Sequence, residues 1–229
     1  MAVQVQNVTA GVVLAGGRSS RMGTAKAALE WHGSTLLRRT LDVLLRAVDG
    51  PLLVVRAPGQ PLPEIGPQVQ IVEDPREGLG PLQGIAAGLA ALADRVPSRG
   101  VGNVGAAGTS VDAAFVCATD LPFLHPVFVR RVLAALAEDI DVVLPVARGH
   151  PQPLVAAYRV SLAPLVAELV AAGELRPAVL FRRCATLRLD DAALLIDPAL
   201  AAADPHLDSV VNVNSPDDYR TARQHPRPE

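Results

Sequence analysis

An apolar run at residues 11–15 leads directly into Gly16-Gly17-Arg18-Ser19-Ser20-Arg21-Met22-Gly23-Thr24-Ala25-Lys26. Glycine has no Cβ, so the backbone there can lie close to a ligand and turn its N–H groups toward phosphate oxygens. Arg18 and Arg21 add forked donors, and Lys26 adds a compact positive charge. This combination suits a phosphate-bearing ligand. Two familiar phosphate motifs are excluded by spacing. A Walker A loop needs Gly-Lys-Ser/Thr, but Thr24 and Ala25 separate Gly23 from Lys26. A dinucleotide fingerprint needs G-x-G-x-x-G, which Gly16-Gly17 does not begin. The bland alternative is a glycine-rich turn with solvated cations. Glycines and cations set directly after the first strand argue against it.

A second chemical signal is Asp120, which follows the apolar run at 113–118. Mg²⁺ takes one or two carboxylates together with phosphates and water, so a carboxylate at a strand end suits it. The other reading is a helix cap or a loop carboxylate. Asp74 precedes Pro75 and is either a ligand contact or a plain turn residue. His150, Asn212 and Asn214 are loop polar residues that face either a substrate or nearby backbone. Cys117 falls within a buried strand and reads as packing. No Ser-His-Asp arrangement or activated nucleophile is apparent.

The elements that position these residues alternate. Apolar runs at 11–15, 52–55, 70–73, 113–118, 141–144, 154–158 and 185–189 read as strands. Between them, Leu37, Leu41, Leu44 and Leu45, then Leu82, Ile85, Leu89 and Leu92, recur at helical spacing. Val129, Val132, Leu133 and Leu136 continue the series, as do Leu162, Leu165, Val166 and Leu169. Residues 31–34 read as a turn. Ser215-Pro216-Asp217-Asp218 reads as a helix start, with Ser215 as cap and acids in the first turn. Near-continuous apolar strands separated by amphipathic helices predict a three-layer α/β/α fold around a mainly parallel sheet. In such a sheet, ligands bind beyond the carboxyl ends of the strands, where both Gly16 and Asp120 fall. The expected organisation is one domain over residues 1–229. It carries a flexible surface insertion at 97–109, rich in Gly, Ser and Ala, and a frayed tail at 220–229.

Composition narrows the function. The chain has 229 residues, half of them hydrophobic, which supports a sizeable core. The 21 Lys and Arg nearly balance the 23 Asp and Glu, giving a formal net charge of −2 and no basic footprint for nucleic acid or an anionic membrane. With Trp 1, Tyr 2 and Phe 4, there is little material for stacking bases. The apolar stretch at 154–172 carries Arg159 and Glu168 and fails as a spanning helix. The first ten residues lack the basic and apolar regions of a signal peptide. Two cysteines are too few for a disulfide framework, and a reduced, cytoplasmic setting is expected.

Leu14 to Lys26 resembles the nucleotidyltransferases, and among them the molybdenum cofactor guanylyltransferases, whose signature reads L-A-G-G-x-S-x-R-M-G-x-x-K. The resemblance continues in order along the chain. Asp74 with Gly80-Pro81-Leu82-Gln83-Gly84 is similar to the family's D…G-P-L-x-G. Cys117-Ala118-Thr119-Asp120-Leu121-Pro122 is similar to its C-x-x-D-x-P, and His150-Pro151-Gln152-Pro153-Leu154 to the loop before a later strand. Val211-Asn212-Val213-Asn214-Ser215-Pro216 is similar to its V-N-V-N-T-P. The resemblance implies a nucleotidyltransferase (Rossmann-like) fold. It implies transfer of GMP from GTP to the phosphate of Mo-molybdopterin, with Mg²⁺ on Asp120. Arg21, Lys26 and Asp120 would carry catalysis. Leu14, Ala15, Gly16, Gly17, Arg18, Lys26, Asp74, Gly80 and Asp120 would hold GTP. His150, Asn212 and Asn214 would face the second substrate. Transient contact with molybdoenzymes or their chaperones is implied as well.

Two departures stand out. Many relatives have Asp before the motif lysine, where this chain has Ala25, and Gly173-Glu174-Leu175-Arg176 lacks one arginine of the family's G-E-R-R. They bear more on the second substrate than on the nucleotide. Two competing readings keep the fold: a nucleotidyltransferase for a sugar-phosphate or phospholactate acceptor, and a non-catalytic nucleotide-binding module. Cytidylyltransferases tend to carry Ala where Gly16 stands, and a purine needs more room than a pyrimidine, so GTP is expected over CTP and ATP.

Overall fold

The computed structural model describes residues 6–16, 25–74, 78–94 and 109–225. The chain opens with β1 (Gln6–Leu14), a hairpin of β2 (Glu30–Trp31) and β3 (Ser34–Thr35), and α1 (Leu36–Leu45). Then come β4 (Leu52–Arg56), β5 (Val69–Glu73), α2 (Pro81–Ala93), β6 (Thr109–Ala118) and α3 (Pro126–Ala134). The second half holds β7 (Val142–Ala147), β8 (His150–Pro151), β9 (Val155–Arg159), α4 (Ala163–Ala171) and α5 (Pro177–Leu180). It ends with β10 (Thr186–Asp190), α6 (Asp191–Leu195), α7 (Pro198–Ala203) and α8 (Pro216–Gln224).

The main sheet runs in the order β10-β7-β9-β6-β1-β4-β5, with β8 paired to β7. Strands β6, β1, β4 and β5 are parallel, and so are β10 and β7. Strand β9 runs antiparallel to both β6 and β7, so the mainly parallel sheet is mixed at this point. Side chains alternate between two apolar layers, as a strand covered on both faces requires. Val13, Phe115 and Cys117 pack with α1, α3, α6 and α7, whereas Val12, Leu14 and Val116 pack with α2, α4 and α5. Helix α2 lies close on β1 because it presents glycine there: a Cβ at Gly88 would stand 2.7 Å from Val12 Cγ1.

The turn expected at 31–34 holds, and two other sequence expectations change. Residues 31–34 form the tip of the β2–β3 hairpin, where His32 (φ 47°) and Gly33 (φ 83°) supply the left-handed pair of a tight turn. The expected insertion at 97–109 ends earlier than the composition suggested, since Thr109 already opens β6; residues 97–108 lie outside the described residues. The expected frayed tail at 220–229 is helical through Gln224. Residues 226–229 of the tail lie outside the described residues. Ala222 is buried, and Arg223 Nη2 lies 2.7 Å from Glu30 Oε2, which fastens the last turn.

Candidate active site

The register of the central strands positions the site. Leu14 pairs with Ala118, so β1 and β6 end side by side and the residues after them emerge together. From β1 the chain moves to β4 and β5 on one side, and α2 then returns it to β6 on the other. The gap between β1 and β6 is therefore the point where the strand order reverses, the usual ligand crevice of an open α/β sheet.

A cavity of about 500 Å³ opens there. Leu14, Ala15 and Gly16 line it from β1, Asp74 from the end of β5, and Ala118, Thr119 and Asp120 from β6. Gly78, Gly80, Pro81 and Gly84 bring in the start of α2, and Lys26 stands at the same wall. Gly80 has φ 94°, a left-handed conformation that side chains adopt only with strain, and it turns the chain into α2.

Lys26 opens a single 3₁₀ turn, Lys26–Ala28, anchored by the buried Ala27. Its Nζ lies 2.7 Å from Asp120 Oδ2 and 2.8 Å from Asn214 Oδ1. The other carboxylate oxygen, Asp120 Oδ1, is buried and has no hydrogen-bond partner among the described residues. A buried anionic oxygen without a donor is costly unless a cation serves it, so this carboxylate fits a divalent metal. The backbone of Asp120 is fixed in turn, its carbonyl accepting from Val213 N at 2.9 Å. Burial, with the Asp120 charge beside it, pushes the Cys117 thiol far up. It stays protonated and is no nucleophile.

Of the residues singled out in sequence, Leu14, Ala15, Gly16, Lys26, Asp74, Gly80 and Asp120 share this one cavity. Gly17, Arg18 and Arg21 lie outside the described residues. Asn214 joins this cavity through Lys26. Asn212 instead lines a second cleft, of about 530 Å³, with Phe123, His125, Arg148, Asp208 and His225. In that cleft Arg148 Nη1 lies 2.7 Å from Asp208 Oδ1. Burial lowers the His125 pKa, with Asp204 opposing the shift and Arg46, Arg39 and Arg130 adding to it. His150 is exposed, with Nδ1 3.0 Å from Arg148 O, and lines neither cleft.

One supporting residue is absent from the sequence reading. Gln60 Nε2 donates to Ala15 O at 2.9 Å, while its Oε1 accepts from Ala57 N at 3.1 Å. The amide thereby ties the end of β1 to the end of β4 under the cavity. Its sequence signal, a polar residue after the Pro58-Gly59 turn, is too common to single it out.

Residues 11–192 match the family model of the MobA-like NTP transferase domain. The chain is 39% identical over 183 residues to the probable molybdenum cofactor guanylyltransferase of Mycobacterium tuberculosis H37Rv, covering 79% of this chain and 82% of that one. It is 38% identical over 201 residues to the protein of the same name from Mycobacterium ulcerans, covering 86% and 91%. The crystal structure of molybdopterin-guanine dinucleotide biosynthesis protein A from Archaeoglobus fulgidus shares the fold, with a TM-score of 0.66 at 21% identity over 94% and 97% of the two chains. The 4-diphosphocytidyl-2C-methyl-D-erythritol synthase of Anaerococcus prevotii shares it too, with a TM-score of 0.58 at 11% identity over 95% and 97%. A fold common to proteins so named does not by itself select base or acceptor. The family match over most of the chain, together with these relatives, shows that the chain belongs to the MobA-like NTP transferase family of nucleotidyltransferases.

Proposed function

We propose that this protein transfers GMP from GTP to the terminal phosphate of Mo-molybdopterin, forming molybdopterin guanine dinucleotide and releasing pyrophosphate, with Mg²⁺ as the metal. The observation that carries the reading is the Lys26–Asp120 pair, standing where β1 and β6 end beside a cavity walled by Ala15 and Gly16. The names of the 38–39% identical relatives support the guanylyl donor and the molybdenum cofactor. In the reaction an oxygen of the acceptor phosphate attacks the α-phosphorus of GTP. A new P–O bond forms, the bond from the α-phosphorus to its bridging oxygen breaks, and pyrophosphate carries the electron pair away.

The acceptor phosphate is nucleophilic at neutral pH, so the protein's work is positioning and charge neutralisation. Lys26 meets the triphosphate with its ammonium, and Arg21 and Arg18 are assigned to the β- and γ-phosphates. Asp120, whose Oδ1 has no hydrogen-bond partner among the described residues, would hold Mg²⁺, which would supply neutralisation of the phosphate charge. Leu14, Ala15, Gly16, Asp74 and Gly80 form the bed of the nucleotide, and Gly17 is assigned to it from the sequence. The acceptor is assigned to the second cleft, reached through Asn212, with His150 beside its Arg148 wall. The segment 211–214 runs between the two cavities, since Asn212 and Val213 line the second and Asn214 reaches Lys26 at the first. The product is destined for molybdoenzymes or their chaperones. Both cysteines are free thiols, in keeping with a cytoplasmic setting.

Product analysis with GTP, Mg²⁺ and molybdopterin tests the reading, together with kcat/KM for GTP, CTP and ATP. GTP is expected to lead, because guanine donors that meet backbone carbonyls leave those groups unpaired when another base enters. Gly16→Ala gives a clean second arm. A Cβ at Gly16 would lie 3.5 Å from Ala57 N, ordinary contact that the fold accepts, so a loss in GTP use reports the ligand and not the scaffold. A loss of about fivefold in kcat/KM for GTP with unchanged Tm is expected. Equal use of GTP and CTP by the wild type would refute the guanylyl assignment.

A further inference from the structure

We infer that Asn214 is a positioning residue for Lys26: its side-chain carbonyl holds the ammonium at the cavity through a neutral hydrogen bond, so the lysine charge stays in place when Asp120 takes up a divalent cation. The inference rests on the nucleotide reading of the cavity and goes beyond it.

Among the described residues Lys26 Nζ contacts two acceptors of different kinds, a carboxylate at 2.7 Å and an amide oxygen at 2.8 Å. An ammonium has three protons and no lone pair, so only the oxygen of Asn214 can face it. The carboxylate is the partner a metal would compete for, because an ammonium and a divalent cation on one carboxylate repel each other. The amide carries no net charge. It can keep Lys26 in position without neutralising the charge that a phosphate is to meet.

Asn214 is exposed, yet its backbone is fixed on both sides. Val213 N donates to Asp120 O at 2.9 Å. Asn214 N and Ser215 N donate to Asp218 Oδ2 at 3.1 and 2.9 Å, and Ser215 Oγ accepts from Asp218 N at 3.1 Å. This capping box starts α8. The helix is fastened to the hairpin that follows Lys26: the Tyr219 hydroxyl donates to Glu30 O, and Arg223 pairs with Glu30. Trp31, Leu36, Val213 and Ala222 form an apolar cluster of their own beneath it. One helix thus sets Asn214 and braces the hairpin downstream of Lys26. It does so from beyond the 11–192 region of the family match.

The test is calorimetry of GTP with Mg²⁺ on the wild type, Asn214→Ala, Asn214→Asp, Lys26→Ala and the Lys26→Ala/Asn214→Ala pair, with Tm as the control for folding. Asn214→Ala is expected to weaken GTP binding about tenfold at unchanged Tm, the range for a lost hydrogen bond to a charged group. In the Lys26→Ala background the same change should cost nothing, because the residue acts through the lysine. Asn214→Asp keeps an acceptor oxygen in place but brings a charge that neutralises the lysine, so it should hold Lys26 and still bind GTP weakly. In steady-state assays the loss should fall in KM for GTP and leave KM for molybdopterin unmoved. An equal penalty in both backgrounds, or an Asp variant that binds GTP as well as the wild type, overturns the inference while leaving the nucleotide reading intact. A wild type that binds none of GTP, CTP and ATP overturns both.

Discussion

On the sheet side of the cavity, Leu14 and Ala118 end strands that are packed on both faces, and Asp120 stands just beyond. On the other side, the exposed Asn212 and Asn214 flank the buried Val213, on a segment held by a backbone hydrogen bond to Asp120, a capping box, an ion pair to Glu30 and a small apolar cluster with Trp31 and Leu36. The first side is rigid because moving it would open the core. The second is fixed by surface polar contacts, each worth about 1 kcal/mol or less, and by a small apolar cluster apart from the two main layers of the core, so local opening there is easier. The site thus has a fixed wall that sets where charge is needed and a lighter wall that brings a polar group to it.

The largest effect should come from the rigid wall. Asp120→Asn keeps the shape and removes the charge, and kcat at saturating Mg²⁺ should fall roughly a thousandfold, about 4 kcal/mol of transition-state stabilisation, with little change in Tm. Near-normal turnover would show that the fixed wall does not carry the metal.

Next comes the junction between the two walls. Trp31 is 1% exposed and meets Phe123 edge to face, with ring centroids 5.8 Å apart. Trp31→Ala should cost about 3 kcal/mol of stability. Hydrogen exchange should quicken most across α8, while β1 and β6 stay protected. Equal loosening of α8 and β1 would erase the contrast between the two sides.

The smallest effect belongs to the capping box. Ser215→Ala should cost about 1 kcal/mol. The hydrogen bond from Ser215, then the N–H of Asn214, hold the Asp218 carboxyl below its ordinary value of 3.8. A carboxyl lowered on folding stabilises the protein above its unfolded pKa, and that contribution is lost as pH falls through the folded value. The Tm gap between wild type and Asp218→Asn should therefore be full above pH 3.8 and close below it. A gap that persists into strong acid would place the role of Asp218 outside the capping box.

Much of the rigid wall was legible in sequence. Apolar runs marked β4, β6 and β7 within a few residues, because burial on both faces forces a continuous apolar pattern. The start of α8 was legible from Ser215-Pro216, because capping is local chemistry. The direction of β9 was not, since a strand buried on both sides reads the same either way along the sheet. Neither were the short helices α6 and α7, whose Leu194 and Leu200 are too few to set a period. The Gln60 clamp was hidden because its partners belong to two different strand ends.

What the residues alone determine is which groups stand at strand ends: the glycines after β1, Lys26 beyond them, and Asp120 after β6. Chain order and the parallel strand pattern require that much. What only the tertiary structure decides is which of these groups meet. Lys26 and Asn214 are 188 positions apart, and Asn212, two residues from Asn214, serves a different cleft. Local pattern encodes burial and capping over a few residues. A contact between distant segments depends on how α8 closes on the β2–β3 hairpin, and that choice is made by packing across the whole molecule.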